Sequence, residues 1–292
     1  MRLVLQNTRC GHLAAYLAIL AAKETIFFAP PSPQGPLRQW IELTLDNRTG
    51  ALLRGQATLT LYADLERIDI CNELHKEPCA DKEQINYAFP FDVPGRRYRL
   101  ETPGAIIVPG DIAYGGEQRP GSGQAVNLIR HFVEIYNDEL GVTLVSLDTG
   151  VVQFGHRTQA EAPQQPDPDN STVLSLALSN LLDWNEILHD QHQVRDFRFR
   201  YALYPHGGGC DAVRAVHHGM DRAQDLLAVM LKSQQVGTLP ADQHSFLEVQ
   251  PGNAIPTALK VAAESSGTDI VLRLWEPGVA DQAVQARVDA SG

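Results

Sequence analysis

The sequence predicts an antiparallel all-β sandwich. Short segments alternate apolar and polar residues, which is the pattern of half-buried strands. They recur at near-regular spacing and are separated by turn sequences such as Pro-Gly, Gly-Gly and Asn-Asp. Few stretches have helical spacing. Because many short strands joined by turns are typical of packed antiparallel sheets, we expect a sandwich with one or two short helices.

The clearest predicted strand covers residues 197–203, in which Phe197, Phe199, Tyr201 and Leu203 share one face. One more strand is expected after Pro277. The remaining predicted strands cover residues 40–45, 57–62, 68–70, 87–91, 97–101, 105–108, 128–136, 142–146, 151–154, 246–249, 258–261 and 270–275.

Other segments depart from this pattern. The first thirty residues are predicted to form a helix, and the proline-rich stretch up to residue 36 a linker. Residues 211–230 follow three glycines and have the apolar spacing of a helix. Residues 160–170 contain three prolines and indicate an exposed loop, whereas residues 173–188 fit either a strand or a helix.

Charge and composition exclude some classes of function. The chain has 24 Lys and Arg against 35 Asp and Glu, a formal net charge of -11. This balance argues against a nucleic-acid partner, because phosphate contacts need clustered cations. No apolar run is long enough to span a membrane. The four cysteines are too few for a disulfide framework, so free thiols and a cytoplasmic location are expected, with secretion as the alternative.

The most reactive-looking sequence is Tyr204-Pro-His206 followed by three glycines. A histidine at such a turn can lie in a cleft near backbone amides. The alternative is a tight turn in which His206 is structural, since a lone histidine lacks a nucleophile and an orienting partner. Glu101, Glu134 and Glu276 lie on or beside strands, where carboxylates are expected to face solvent. No nucleophile elbow, P-loop or dinucleotide fingerprint is present.

Six segments, taken in chain order, resemble one known family. They are GPLR at 35–38, LTLY at 59–62 with LERID at 65–69, YAFPF at 87–91 with ETPG at 101–104, HFVEIYN at 131–137 with GVT at 141–143 and QFG at 153–155, FRYALYPHGGG at 199–209, and LRLWEP at 272–277. Together they are similar to the C-terminal region of glycoside hydrolase family 38, the α-mannosidases. The resemblance extends from about residue 35 to the end of the chain.

This resemblance implies a β-supersandwich similar to galactose-mutarotase-like domains, followed by a small terminal β-domain. The expected divisions are residues 1–36 (helix and linker), 37–235 (supersandwich) and 236–292 (terminal β-domain, with truncation as one alternative). In the family, an N-terminal barrel binds zinc and an aspartate attacks the anomeric carbon with retention. None of those barrel motifs occurs in this sequence. We therefore assign no catalytic residue and no metal ligand, and we expect zinc in the catalytic domain that this chain lacks.

The leading hypothesis is a non-catalytic β-domain that helps a catalytic barrel to act on α-mannosides. The chain is expected to be either a fragment of such an enzyme or one subunit of a split enzyme whose barrel is a separate chain. It predicts a large apolar patch for docking. The residues proposed to support substrate binding are Tyr204, His206, Trp184, Arg273 and Glu276.

Two alternatives remain open. A free-standing carbohydrate-binding module would stack sugars on Trp184, Trp275 and Tyr204 and would show an exposed aromatic platform. A mutarotase-like epimerase would use a histidine and a glutamate as acid and base, and would show His206 in a cleft within reach of a carboxylate.

Overall fold

The computed structural model describes residues 3–5, 15–17, 25–28, 37–46, 52–76, 84–109, 125–155, 171–179, 195–208, 211–224, 226–230, 237, 239–240, 242–263, 269–278 and 283–289. Strands dominate these ranges, and every pairing between them is antiparallel. The prediction of an antiparallel all-β fold is therefore confirmed.

Nineteen strands and one α-helix lie in the described ranges. In chain order they are β1 (Leu3–Leu5), β2 (Ala15–Leu17), β3 (Thr25–Phe28), β4 (Arg38–Asp46), β5 (Leu52–Tyr62), β6 (Ile68–Lys76), β7 (Gln84–Pro90), β8 (Arg97–Thr102), β9 (Ala105–Ile107), β10 (Val126–Leu128), β11 (Phe132–Tyr136), β12 (Leu140–Ser146), β13 (Val151–Phe154), β14 (Thr172–Ser179), β15 (Arg195–Gly207), α1 (Ala212–Ala223), β16 (Leu247–Gln250), β17 (Ile255–Val261), β18 (Ile270–Trp275) and β19 (Gln285–Val288).

Two sheets form the sandwich. The larger has nine strands in the order β3-β4-β5-β6-β15-β12-β11-β8-β9, and the smaller has four in the order β10-β13-β14-β7. Side chains alternate along each strand, so one face of the large sheet, its inner face, packs on the small sheet. Tyr201 of the large sheet lies edge-on to Phe89 of the small sheet at 5.0 Å between ring centroids, and Tyr98 stacks on Phe154 at 4.1 Å.

The structure confirms the buried face that was predicted for β15. Phe199, Tyr201 and Leu203 are buried in the core between the sheets, and Phe197 packs against its edge. Alternate residues of β15, among them Ala202 and Tyr204, therefore point to the opposite, outer face of the large sheet.

Helix α1 covers part of that outer face. Asp211 caps it by accepting a hydrogen bond from Val213 N at 3.0 Å. Its buried residues Ala215 and Val216 join an apolar cluster on the sheet. The predicted helix over 211–230 is thus correct for Ala212–Ala223, but residues 226–230 are not helical, because Gln224 turns the backbone to an extended conformation.

The C-terminal residues add two strand pairs, β16 with β19 and β17 with β18. Ile255, 2% exposed, and Trp275 anchor the second pair to the outer-face cluster. β19 confirms the strand expected after Pro277. The predicted boundary between residues 235 and 236 lies outside the described residues, and the boundary at residue 36 stays a prediction.

The predicted N-terminal helix is wrong wherever the structure describes it. Leu3–Leu5, Ala15–Leu17 and Thr25–Phe28 are strands. The first two pair with each other, and β3 adds to the large sheet beside β4. Backbone pairing outweighs the helix propensity of the alanine-rich sequence, since propensity is a weak prior that tertiary contacts override.

The predicted strand over 128–136 is two strands. β10 ends at Leu128 in the small sheet and β11 begins at Phe132 in the large one, so residues 129–131 carry the chain between layers. The ambiguous segment 173–188 is a strand as far as Ser179.

Cys71 is a free thiol, and the other three cysteines lie outside the described residues. No helix within the described ranges is long and apolar enough to cross a membrane.

Candidate functional site

A row of polar side chains crosses the outer face of the large sheet beside α1. Tyr204 of β15 is opposite Thr143 of β12, which is opposite Glu134 of β11, which in turn is opposite Arg99 of β8. Paired residues project to the same side of a sheet, so these four share the outer face. Glu134 and Thr143 are 0% and 1% exposed. The large sheet therefore buries a carboxylate in the middle of an otherwise apolar strand.

His206 supplies the partner of that carboxylate. It lies two residues after Tyr204, on the same face, and its Nε2 is 3.0 Å from Glu134 Oε1. Their side chains are 7% and 0% exposed. The angles do not meet those of a directed hydrogen bond, so the contact is a buried pair of ionisable groups. An ionisable side chain buried to this depth is destabilising unless it has such a partner.

Gly141 makes room for the imidazole. It is the Cα partner of His206 across β12 and β15, and a Cβ added to it would lie 2.2 Å from His206 Cε1. The ring thus occupies the space that any side chain at position 141 would take. This contact joins two of the segments that resemble the family, because one segment contains Gly141 and the other contains His206.

His218 of α1 closes the site from above. Its ring stacks on Tyr204 at 3.9 Å between centroids, with an angle of 8° between the planes. Burial, followed by the charges of Arg214 and His206, lowers the pKa of His218 to about 4. His218 is therefore neutral at neutral pH. Burial also raises the pKa of Tyr204, although the neighbouring Arg67 opposes this rise.

A group of ion pairs, here called the helix clamp, holds α1 on the sheet. Arg67 pairs with Asp69 at 2.9 Å and with Asp221 of the helix at 3.2 Å. Asp69 also accepts a hydrogen bond from the Tyr62 hydroxyl at 2.7 Å and lies 3.4 Å from Arg222 Nε. Since both helix residues are in the last turn, the clamp fixes the C-terminal end of α1.

A second histidine–glutamate pair lies near the other side of the helix. His131 Nδ1 is 2.9 Å from Glu101 Oε2, and the Glu101 side chain is 1% exposed. Gly219 of α1 lies so close that an added Cβ would be 2.7 Å from His131 Cβ. Each of the two pairs therefore depends on a glycine for space.

The expectation that strand carboxylates face solvent is wrong for Glu101 and Glu134. Both are 0% exposed, because α1 and Ile255 cover the outer face where these strands meet. Glu276 is half-buried and accepts a hydrogen bond from Gly278 N at 3.0 Å.

A histidine beside a carboxylate can exchange protons with a substrate, but only if the substrate reaches it. The site is closed in this conformation. Cavities of about 680 Å³ and 360 Å³ lie elsewhere, and neither is lined by His206, Glu134 or Tyr204. Within the described ranges, no group of three His, Cys, Asp or Glu side chains could hold a metal ion. These residues therefore do not fit a zinc centre, and we assign no chemical step to zinc here.

The five predicted site residues fall in different places. Tyr204 and His206 come together in the buried site. Arg273 is exposed on β18, where its carbonyl accepts a hydrogen bond from Thr257 Oγ1 at 3.3 Å, and Glu276 follows the same strand. Trp184 lies outside the described residues. The roles of all five stay predictions.

Sequence reasoning missed Gly141, Thr143 and His218 as parts of the site. One signal was available for their partner Glu134, which is a charged residue inside the apolar run Phe-Val-Glu-Ile-Tyr. The contact with His206 joins residues 134 and 206 through strand register, which the sequence does not reveal.

Together these features define a class: a two-sheet antiparallel sandwich with a sealed polar centre beneath one helix. Two solved structures share this fold. One is an α-mannosidase from Enterococcus faecalis V583, with TM-score 0.65 and 12% identity over 91% of this chain and 31% of that one. The other is a glycosyl hydrolase family 38 protein from Enterococcus faecalis, with TM-score 0.64 and 12% identity over 91% of this chain and 32% of that one.

The chain thus spans about a third of the length of either protein. No family model and no curated protein matches the sequence. At 12% identity the likeness establishes the fold. The resemblance predicted from the six sequence segments is therefore confirmed as a likeness of fold.

Proposed function

We propose that this chain is the β-rich portion of a family 38-like α-mannosidase. In that enzyme it would support the hydrolysis of terminal α-mannosides by a catalytic barrel without performing the chemistry itself. The observation that carries the proposal is the fold likeness, which takes in 91% of this chain and 31% of an α-mannosidase. Because about two thirds of that protein has no counterpart here, the catalytic and zinc-binding groups would belong to the other part.

The sealed polar centre supports a non-catalytic role. The side chains of His206 and Glu134 are 7% and 0% exposed, and α1 lies over their neighbour Tyr204. A sugar would have to displace the helix and the helix clamp to reach them. The pairs instead fix the outer face of the sheet, which is the function of a scaffold.

An exposed apolar segment supports docking to a catalytic domain. Leu226, Leu227, Val229 and Met230 follow α1 and are each at least 81% exposed. Four such side chains within five residues are unusual on a surface that faces only water. We propose this segment, residues 226–230, as part of the surface that contacts the barrel.

Reconstitution tests the proposal. The DNA flanking the reading frame is first searched for a sequence encoding a family 38 barrel, and that barrel is produced with and without this chain. We expect hydrolysis of p-nitrophenyl α-mannoside only, or much faster, when both are present. A barrel whose rate and stability do not change on addition of the chain would contradict the proposal.

Variants locate the contact in the same assay. Leu226→Gln with Leu227→Gln is expected to weaken reconstitution. Leu128→Gln is the matched control, since Leu128 is 69% exposed on the edge strand β10 of the small sheet. Equal effects of the two changes would argue against docking through residues 226–230.

A mutarotase-like epimerase is the second candidate, and one observation favours it. His206 lies 3.0 Å from the carboxylate of Glu134, so a candidate acid and a candidate base are neighbours in this chain. Polarimetry of α-D-mannose and α-D-galactose tests this directly. Mutarotation faster than in buffer, and lost in Glu134→Gln, would favour the epimerase, whereas we expect the buffer rate.

The carbohydrate-binding module has less support. Tyr204 is 7% exposed beneath His218, and Trp275 packs in the outer-face cluster. Neither ring presents an open face for stacking in this conformation.

A further inference from the structure

A groove of about 680 Å³ lies on the large sheet, far from the polar centre. Six of the residues lining it occupy outer-face positions of four adjacent strands. They are Thr44, Gln56, Glu73, His75, Asp196 and Arg198. We call it the strand-end groove.

Strand register builds this groove. Thr44, Gln56, Glu73 and Arg198 are consecutive partners across β4, β5, β6 and β15, and His75 is opposite Asp196 one step further on. Arg198 and His206 lie eight residues apart on the same strand, which corresponds to about 26 Å. The groove is therefore a separate site from the His206–Glu134 pair.

The groove is open to solvent, unlike that pair. His75 Nδ1 lies 2.6 Å from Asp196 Oδ1, and these side chains are 37% and 88% exposed. The solvent-exposed edge of this pair carries polar atoms that can exchange hydrogen bonds with a ligand. A ligand can reach this edge of the pair without any movement of the helix.

The chemistry of the lining selects a class of ligand. Glu73 and Asp196 accept hydrogen bonds, Arg198 donates them, and Gln56 does both. Two carboxylates set against one guanidinium disfavour a phosphate, and the guanidinium disfavours a simple cation. A sugar hydroxyl both donates and accepts hydrogen bonds. Neighbouring hydroxyls of one sugar can therefore donate to the carboxylates and accept from the guanidinium. The volume also falls within the range of about 300–1,000 Å³ that is usual for small-molecule sites.

We propose that the strand-end groove binds a neutral saccharide. This site would hold sugar on the β-domain itself, apart from any catalytic centre. The proposal does not rest on the proposed function, because every lining group belongs to this chain and the reaction of a catalytic partner does not enter the argument.

The test is a calorimetric titration of the full chain with three neutral disaccharides, mannobiose, maltose and lactose, and with inorganic phosphate. We expect millimolar or tighter binding of at least one disaccharide and none of phosphate. Glu73→Ala and Arg198→Ala should each weaken it about tenfold, the effect of losing one hydrogen bond to a charged group. Glu139→Ala, at an exposed acid in the turn before β12, is the matched control and should bind as the parent does.

Three outcomes would overturn the proposal: no disaccharide binds, phosphate binds instead, or binding is unchanged in both groove variants. Circular dichroism checks that each variant is folded. Reconstitution with a barrel does not require the groove. A negative reconstitution assay and a negative saccharide titration are therefore separate results.

Discussion

Gly141→Ala should destabilise the protein far more than the addition of one methyl group suggests. The new Cβ would lie 2.2 Å from His206 Cε1, so the imidazole must leave its position beside Glu134. Overpacking costs about 1–3 kcal/mol, and leaving the buried Glu134 carboxyl without its partner costs about 1–3 kcal/mol. The two costs overlap, because displacement of the ring is what breaks the pair. We therefore expect the free energy of unfolding to fall by about 2–4 kcal/mol.

Urea unfolding at neutral pH, followed by far-UV circular dichroism, measures this loss. Gly252→Ala is the control, because a Cβ there meets nothing within 4 Å, and it should change stability by less than about 0.5 kcal/mol. A double-mutant cycle gives the cause. Once His206→Ala has removed the ring, Gly141→Ala should cost little more, since the clash has gone. Full additivity of the two changes, or a Gly141→Ala variant as stable as the parent, would show that the displaced imidazole is not the cause of the loss.

Three further predictions concern the same sheet. Gly219→Ala should lower stability by about 1–2 kcal/mol, since overpacking against His131 Cβ exceeds the gain in helix propensity; chemical denaturation measures the change. His218 has a pKa of about 4 in the folded protein, below its ordinary value of 6.5. The unfolded chain therefore takes up the proton first, and the free energy of unfolding should fall as the pH drops from 6.5 to about 4. Unfolding curves at several pH values should show this loss in the parent and a smaller one in His218→Phe. Burial raises the pKa of Asp148, but the hydrogen bonds that it accepts from Arg200 lower this pKa more, so the pKa lies below its ordinary value. Asp148→Ala should lower the free energy of unfolding by about 1–2 kcal/mol at neutral pH, and by progressively less below the ordinary carboxyl pKa. Calorimetry at several pH values measures this difference.

Local pattern was enough to predict most of the fold. The alternation of Phe199, Tyr201 and Leu203 identifies β15 and its buried face. Local pattern fails where strand pairing decides the secondary structure. Residues Thr25–Phe28 form a strand because they pair with the otherwise unpaired side of β4. The pattern also fails at residues 129–131, where a stretch that was predicted as one strand passes from the small sheet to the large one.

The candidate site was only half predictable. Tyr204 and His206 were found because three glycines follow them, whereas Glu134 was expected to face solvent. Its burial depends on α1, which comes some eighty residues later in the chain. Which charged residue a helix covers is decided by tertiary packing, and periodicity carries no information about it.

An assay of p-nitrophenyl α-mannoside hydrolysis decides whether this chain is non-catalytic. The purified parent chain and Glu134→Gln are each assayed without a barrel and with zinc added. We predict no turnover above buffer in either preparation, because the His206–Glu134 and His131–Glu101 pairs are buried on the outer face of the large sheet. Turnover by the parent that disappears in the folded Glu134→Gln variant would contradict the account, because it would place a working catalytic centre inside this chain.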